Sequence, residues 1–193
     1  MSDPLPAVSS RPLEGGPSFS LRHRLARLTW NITWSLCASW TPPVMRPWRR
    51  FLLRLFGAKI SATAVIYGTA KIWHPANLTV GDHACIGGGA TIYSMAPITL
   101  EAWALVSQGA YLCAGTHDID DPDFQLVTAP IVVGERAWIA AEAFVGPGVS
   151  VGAGAVLGAR AVAFRDLEPW GVYVGNPAKR TRTRKRAAKD SQA

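Results

Sequence analysis

One histidine of the chain lies in a segment that interrupts an otherwise regular sequence. His117 is one of four histidines and is followed closely by four acidic residues. A histidine accepts a proton near neutral pH and can act as a general base on a hydroxyl group. The loop that holds it, residues 113–130, is long enough to carry function in a compact domain. The acidic residues are Asp118, Asp120, Asp121 and Asp123. His117 is therefore the candidate catalytic base, and one of these carboxylates could orient its ring.

The other histidines and the cysteines are weaker candidates for chemistry. His23 lies in a basic segment and is expected to be solvent-exposed, whereas His74 and His83 lie at predicted turns and are expected to be structural. The cysteines are odd in number and lack the spacing of a metal site. They are Cys37, Cys85 and Cys113. Free thiols are typical of a reducing compartment, so a cytoplasmic protein is predicted.

The elements that must position His117 follow from a repeat of six residues. Aliphatic residues recur at every sixth position, with small residues two positions before them. The best run is Val133, Ile139, Val145, Val151, Leu157 and Ala163, and the same period runs upstream from Ile60. A period of six fits neither an α-helix nor a simple alternating strand, and it is typical of a hexapeptide solenoid. We therefore predict a β prism of about five coils, at 60–77, 78–97, 98–117 with the long loop, 131–148 and 149–166.

The chain divides into four predicted segments around this prism. Residues 1–20, rich in proline and serine, are predicted to be a disordered tail, and residues 21–57 a helical cap. Residues 58–178 form the β-helix domain, with the active-site loop at 113–130. Residues 179–193 are a basic C-terminal tail. At 193 residues and 49% hydrophobic composition, the chain can bury a substantial core.

The segment before the prism is basic and rich in tryptophan. Residues 21–59 contain eight basic residues, no acidic residue and four of the eight tryptophans. A helix is predicted from Leu21 to Trp40, with Ser20 as its N-cap, and a second helix from Trp48 to Phe56. One interpretation is that these helices cover the open first coil of the solenoid. The other is an interfacial helix beside anionic lipid or a lipid-linked glycan. The cap is the favoured interpretation.

Charge and hydropathy exclude some other classes of protein. Seven of the 20 basic residues lie between Lys179 and Lys189, so the net charge of +7 is largely local. Because this tail lacks aromatic residues and a recognisable nucleic-acid module, nucleic-acid binding is not predicted. No apolar stretch approaches the ~20 residues that span a bilayer, and no signal peptide is evident.

Several motifs resemble a known enzyme family. The hexads resemble those of the hexapeptide-repeat acyltransferases, in the branch of the galactoside, maltose and nodulation-factor O-acetyltransferases. The specific matches are LCAGTHD (Leu112–Asp118), AWIAA (Ala137–Ala141) and GNPAK (Gly175–Lys179). The lead-in FLLRLFGAKI (Phe51–Ile60) is similar to that of the colanic-acid-type exopolysaccharide acetyltransferases. The resemblance extends over about residues 21–182.

The resemblance implies a fold, a reaction and an assembly. The fold would be all-β, a left-handed parallel β-helix. The enzyme would be an O-acetyltransferase in exopolysaccharide or cell-surface glycan biosynthesis, transferring acetyl from acetyl-CoA to a saccharide hydroxyl without a metal. His117 would be the base, and no cysteine nucleophile would be needed. Family members are trimers whose sites lie between neighbouring prisms, so a homotrimer is expected. The acceptor could be free, nucleotide-linked or lipid-linked, which leaves open a cytoplasmic location at the inner face of the membrane.

The resemblance also implies residues that bind coenzyme A. Trp138 matches an aromatic residue in the cofactor cleft, and the backbone N–H groups near Ala141 and Ala159 match donors to the pantetheine amides and the oxyanion. Cations matching the phosphate contacts are Arg165, Lys179 and Arg182. One departure concerns the acceptor. Gly87 stands where the galactoside branch has a sugar-binding asparagine, so a different mode of acceptor binding is expected. Other polar candidates are Tyr93, Ser94 and Gln108.

Two alternatives keep the fold but change the function. A zinc carbonic anhydrase of the hexapeptide class needs three converging histidines, and only His83 and His117 come into consideration. A non-catalytic hexapeptide scaffold would give His117 no chemical role, and the motifs around it argue against this alternative. Fold alone does not separate these functions.

Overall fold

The structure, a computed structural model, describes residues 3–185 of the chain. It is a parallel β-helix preceded by helices, as predicted. The helices are α1 (Ala7–Ser10), α2 (Leu21–Cys37) and α3 (Arg46–Leu55), with short 3-10 turns at Pro12–Glu14, Pro43–Met45 and Pro75–Asn77. Ser20 caps α2 as expected, since its side chain accepts a hydrogen bond from the backbone N–H of His23.

Three parallel sheets form the faces of the prism. Sheet A contains β1 (Lys59–Ile60), β4 (Leu78–Val80), β7 (Ile98–Leu100), β12 (Ile131–Val133) and β15 (Ser150–Val151). Sheet B contains β2 (Val65–Ile66), β5 (Cys85–Ile86), β8 (Leu105–Val106), β13 (Trp138–Ile139), β16 (Val156–Leu157), β18 (Gly171–Val174) and β19 (Lys179–Thr183). Sheet C contains β3 (Lys71–Ile72), β6 (Thr91–Tyr93), β9 (Tyr111–Cys113), β14 (Phe144–Val145) and β17 (Val162–Ala163). The strands make five complete coils and part of a sixth.

The six-residue period corresponds to the core of the prism. In sheet B, one aliphatic residue from each coil stacks on its equivalent in the next. This column is Ile66, Ile86, Val106, Ile139 and Leu157, each at most 1% exposed. The small residues two positions earlier, such as Ala104 and Ala137, are also buried. A solenoid of this kind buries its apolar residues only by stacking neighbouring coils, which explains why the period is strict.

The first coil has an edge of carbonyl groups with no coil beneath it. Throughout the prism, N–H groups of one coil donate to carbonyl groups of the next, as from Val65 to Ala84 at 2.9 Å. The equivalent carbonyl groups of the first coil therefore lack main-chain donors. Five side chains of α2 and α3 donate to them. These bonds are Trp30 Nε1 to Ile72 O (2.7 Å), Trp34 Nε1 to Ala70 O (3.1 Å), Arg49 Nε to Ile66 O (2.8 Å), Arg50 Nη1 to Ala64 O (3.0 Å) and Arg54 Nε to Ile60 O (2.8 Å). The helices thus replace a missing coil.

Helix α2 has two apolar faces, of which the prism covers one. Its buried residues are His23, Trp30 and Trp34. The residues whose spacing predicts the helix lie on the opposite side and are 51% to 69% exposed. This outer apolar face consists of Leu21, Leu25, Leu28, Ile32 and Leu36. Across residues 3–185, none of the helices combines the length and apolar character that a membrane span requires.

Within residues 3–185, the segments before and after the prism contain more regular structure than the sequence predicts. In place of a disordered tail over 1–20, residues 3–20 form α1 and a short turn, and the buried Phe19 packs beside His23. Gln125 of the long loop joins this segment by accepting from Ala7 N and donating to Leu5 O. At the other end, Lys179–Thr183 is strand β19, antiparallel to β18. Positions 186–193 of the predicted basic tail lie outside the described residues.

Candidate active site

The long loop is a β-hairpin that leaves the prism at the corner between sheets C and A. Strands β10 (Gly115–His117) and β11 (Leu126–Thr128) pair antiparallel, with His117 opposite Leu126. The turn between them is held by its own acidic side chains. Asp118 Oδ1 accepts from Asp120 N at 3.1 Å, and Asp121 Oδ1 accepts from Asp123 N at 2.7 Å. These aspartates build the hairpin turn, which is the role such side chains commonly take in loops.

His117 is held in one orientation by the hairpin itself. Its ring stacks on Phe124 with centroids 4.3 Å apart and an interplanar angle of 11°. Its Nδ1 lies 2.9 Å from the carbonyl oxygen of Phe124. Because a carbonyl only accepts, Nδ1 carries the hydrogen, and in the neutral ring the lone pair is then on Nε2. The orienting group is therefore a backbone carbonyl, and the expectation that an aspartate could serve is not met.

His117 lines a pocket formed where the N-terminal segment crosses sheet C. The pocket has a volume of about 380 Å³, within the range of small-molecule sites. Its lining is Gly15, Pro17, Ser18, Phe19, Arg24, Arg27, Trp73, Tyr93, Met95, His117 and Leu126. The lining combines aromatic rings, two guanidinium groups and the candidate base, and it contains no acidic side chain. Arg24, Arg27 and Trp73 could not be predicted from the sequence, because no local pattern links them to a loop that follows much later in the chain.

A second histidine lies behind this pocket in a buried aromatic cluster. His23 is 6% exposed, so its predicted solvent exposure is wrong. Its ring stacks on Phe19 at 4.7 Å and lies 4.6 Å from the ring of His74. Burial, together with the nearby His74 and Arg27, lowers the pKa of His23 to about 4. Burial also lowers the pKa of His74. Both rings are therefore neutral at neutral pH and cannot act there as cationic groups.

Cys113 lies just before the hairpin and is a poor nucleophile. Its Sγ donates to Gly115 O at 3.1 Å, and burial raises the pKa of the thiol above its ordinary value. The protonated thiol is much less reactive than the thiolate. All three cysteines are free. Among residues 3–185, no group of three His, Cys, Asp or Glu side chains is arranged to hold a metal ion.

The three other polar residues considered for acceptor binding lie in different places. Tyr93 lines the pocket with His117. Ser94 is fully buried, and its Oγ bonds the backbone N and O of His74 at 3.0 and 2.9 Å, so its role is structural. Gln108 is exposed at the corner between sheets B and C, away from the hairpin. Of the three, only Tyr93 is placed to contact a molecule at His117.

Three of the expected cofactor-binding residues lie on or beside sheet B of the prism. Trp138 is exposed on sheet B, with its Nε1 donating to Ser107 Oγ at 2.9 Å. Ala141 and Ala159 lie at the corner after sheet B, and neither backbone N–H donates a hydrogen bond within residues 3–185. These N–H groups are thus available to a ligand.

The expected phosphate-binding cations are all exposed. Arg165 follows β17, and its side chain meets no acidic partner among the described residues. Lys179 and Arg182 lie on β19 at the end of sheet B, where Arg182 Nη1 donates to Thr183 O at 3.3 Å. Arg165 thus lies at the corner between sheets C and A, as His117 does, whereas Lys179 and Arg182 belong to sheet B.

Comparison with known proteins gives one relative that covers most of the chain. Colanic acid biosynthesis acetyltransferase WcaF of Escherichia coli (strain K12) is 44% identical over 152 residues, which cover 79% of this chain and 83% of the relative. No protein-family model matches the chain.

Solved structures with low sequence identity share the fold. A maltose O-acetyltransferase from Clostridium difficile 630 superposes with a TM-score of 0.75 at 20% identity, covering 86% of this chain and 90% of that one. A hexapeptide-repeat acetyltransferase of Vibrio cholerae O1 biovar eltor, in complex with acetyl coenzyme A, gives 0.74 at 23% identity, covering 86% and 91%. These structures support the β-helix architecture.

Proposed function

The chain belongs to the hexapeptide-repeat acetyltransferases of the colanic acid biosynthesis type, and from this premise we propose that it transfers acetyl from acetyl-CoA to a saccharide hydroxyl. The acceptor would be an exopolysaccharide or another cell-surface glycan, or a precursor of one. The observation that carries the proposal is the geometry of His117. Its Nδ1 is bonded to Phe124 O at 2.9 Å, and the ring borders a pocket of about 380 Å³.

His117 acts as the general base in this proposal. Its Nε2 accepts the proton of the acceptor hydroxyl as that oxygen attacks the carbonyl carbon of the thioester. The C–S bond then breaks, the coenzyme A thiolate leaves, and the thiolate takes the proton from Nε2, which restores the neutral base. The Phe124 carbonyl holds the hydrogen on Nδ1, so the lone pair stays on the nitrogen that does the chemistry. The acyl donor supplies the electrophilic thioester carbonyl. Base catalysis of this kind contributes roughly 10²- to 10⁴-fold, and positioning and oxyanion stabilisation add to it.

The expected donor-binding residues suit the chemistry of coenzyme A. Phosphate groups bind well to exposed cations that have no acidic partner. Arg165 and Lys179 meet this description. We assign Arg182 to the same phosphate contacts. The unpaired N–H groups of Ala141 and Ala159 are oriented by the prism and can bind amide or thioester oxygens. Trp138 supplies an aromatic wall beside them.

We propose that the complete site forms between neighbouring prisms of a homotrimer. Supporting this, Trp138, Lys179 and Arg182 lie on sheet B, whereas His117 lies at the corner between sheets C and A of the same chain. A second protomer placed against the hairpin would bring its sheet B residues to His117. Sedimentation should give a mass three times the 20.7 kDa of one chain. A species of 20.7 kDa that keeps full activity would contradict the shared site.

We propose a cytoplasmic location with contact at the inner face of the membrane. The outer apolar face of α2 is exposed, and residues 21–59 contain no acidic residue that would repel anionic lipid. Such contact would suit an acceptor that is itself linked to a lipid.

The proposal is tested by acetyl-CoA turnover with a panel of saccharides. For His117→Ala we expect acceptor-dependent release of free thiol to fall by about 10²- to 10⁴-fold. The affinity for acetyl-CoA should stay within about twofold, since the base is remote from the phosphate contacts. The matched control is His83→Ala, which removes an exposed histidine stacked on Trp103 at another corner. Unchanged turnover in His117→Ala would refute the assignment, and a wild type that binds no acetyl-CoA would favour a non-catalytic scaffold.

A further inference from the structure

Arg27 holds a partly buried guanidinium that lacks an anionic partner. Its Cζ lies 4.2 Å from the ring centroid of Trp73 and 5.9 Å from that of Phe19. Its Nε is fully buried and makes no hydrogen bond. No ion pair involves Arg27 among residues 3–185. Burial lowers the pKa of this guanidinium, yet it stays charged at neutral pH. A desolvated cation without a counter-charge is costly unless a ligand supplies one.

The pocket beside Arg27 has no acidic lining residue and contains a second cation. Arg24, one turn earlier on α2, also lines the pocket. The first turn of this 17-residue helix contains no acidic residue, so the positive end of the helix dipole is not neutralised. The neighbouring His23 and His74 are neutral at neutral pH and neither add to nor cancel this charge. The pocket therefore offers two cations, and its lining residues offer no anion to pair with them.

We propose that the acceptor carries an anionic group, which binds Arg27 and Arg24 while a hydroxyl of the same molecule lies against His117. This inference rests on the proposed function and narrows its substrate class to acidic saccharides. The anion is either a carboxylate of a uronic acid residue or a phosphate that links the sugar to a nucleotide or lipid. Both present paired oxygens that match the guanidinium fork.

The aromatic rings of the pocket give this binding its geometry. The Arg27 guanidinium lies over the Trp73 ring, with Cζ 4.2 Å from the centroid, and this contact restricts its position. Tyr93 packs edge-on to Trp73, with centroids 5.6 Å apart. Trp73 and Tyr93 line the same pocket as the Arg27 guanidinium and His117. A neutral sugar would fill the pocket but leave the guanidinium unpaired, so it should bind less tightly.

The experiment measures saccharide binding by isothermal titration calorimetry in the absence of acyl donor. The probes are glucose, glucuronate and glucose 1-phosphate, titrated into the wild-type protein and into Arg27→Gln. We expect at least one anionic probe to bind the wild type about tenfold or more tightly than glucose, because charge-assisted hydrogen bonds exceed neutral ones. Arg27→Gln should remove this preference. The better of the two anionic probes identifies the source of the charge.

Three further variants show whether Arg27→Gln loses its preference for anions through the lost contact, through the lost charge alone or through misfolding. Arg22→Gln removes the same charge from the same helix, but Arg22 does not line this pocket, so the preference should persist. Arg24→Gln changes an exposed side chain and should weaken the anionic probe several-fold without affecting folding. Arg27→Lys should restore part of the preference. Equal binding of glucose and both anions, or equal losses in Arg22→Gln and Arg27→Gln, would overturn the proposal.

The outcome is distinguishable from a failure of the proposed function. Anion-selective binding without any thiol release from acetyl-CoA would leave the inference standing and remove the acetyl transfer. Acetyl transfer to a neutral saccharide with equal kcat/KM in wild type and Arg27→Gln would remove the inference alone.

Discussion

The two open ends of the prism present opposite halves of the hydrogen-bond ladder. The first coil exposes carbonyl groups, and side-chain donors from α2 and α3 bind them. The last coil exposes N–H groups, and these find acceptors mostly in the main chain that follows. Gly152 N donates to Leu167 O, Gly158 N to Tyr173 O and Val162 N to Gly175 O, at 2.8 to 3.0 Å, while Ser150 N donates to a side chain, Asp166 Oδ1, at 2.8 Å.

This difference explains the unusual composition of residues 21–59. An edge of carbonyl groups needs donors, and arginine and tryptophan are donors that cannot accept. Acidic side chains would add acceptors where none are needed. The same end holds three of the four buried polar side chains of the described residues, namely His23, Thr41 and Arg49. The basic charge of this segment is therefore partly a requirement of the fold and not only a signal for a lipid partner.

The largest expected effect on stability comes from removing a donor at the first end. Arg49 bonds Ile66 O, Thr41 O, Thr41 Oγ1 and Pro42 O, and it is 3% exposed. Arg49→Met should lower the free energy of unfolding by about 3 kcal/mol, because several buried acceptors lose their donor. Urea denaturation measures this. The matched control is Arg46→Met on the same helix, where the exposed side chain should matter by less than about 0.5 kcal/mol.

Removing a hydrogen-bond acceptor at the last coil should lower the free energy of unfolding by less than removing Arg49 from the first. Asp166 is exposed and contributes one acceptor, so Asp166→Ala should cost about 1 kcal/mol or less. Equal losses for Arg49→Met and Asp166→Ala would show that the two ends do not differ in the way their hydrogen bonds indicate.

The next expected effect is a change in the free energy of unfolding with pH, which arises from His23 at the end of the prism that α2 covers. His23 has a pKa of about 4 in the folded state and an ordinary value of 6.5. Between these values the unfolded chain binds the proton and the folded chain does not, so stability falls as pH drops from about 6.5 towards 4. The loss should approach about 3 kcal/mol. His23→Phe keeps a ring against Phe19 and should flatten this dependence.

Urea unfolding at pH 7 and pH 4.5 measures the difference between wild type and variant. The control is His83→Gln, which changes an exposed histidine. If His23→Phe loses as much stability as the wild type over this interval, the buried histidine is not the source.

The smallest effect on the free energy of unfolding is expected for substitutions on the outer apolar face of α2. Leu28→Gln and Ile32→Gln alter the outer apolar face, where both residues are more than half exposed, so the free energy of unfolding should change by less than about 0.5 kcal/mol. Binding to vesicles that contain anionic lipid should weaken by about tenfold for the pair, because apolar area is lost from the contact. Vesicle co-sedimentation measures this, with neutral vesicles for comparison. Unchanged binding would argue against membrane contact through α2.

Local sequence patterns predicted much of the fold, and they indicated the residue that we propose as the base. The hexads predicted the β-helix, and the interruption of the period singled out the loop that carries His117. The spacing of Leu21, Leu25 and Leu28 predicted helix α2 but marked its exposed side. It did not reveal that Trp30 and Trp34 are the residues that pack on the prism. Periodicity reports that a helix has an apolar side, and it does not report what lies against each side.

The amino-acid sequence alone predicts the prism, because each coil buries an aliphatic residue at the same position and these residues recur at every sixth place. The groups that contact the ends of the prism and the long loop could not be predicted from the sequence alone. Arg49 and Trp30 have their roles because an edge of carbonyl groups lies opposite them. Arg27 and His117 share a pocket because the chain folds residues 15–27 across a hairpin ninety positions later. Such contacts depend on long-range packing, for which no local period exists.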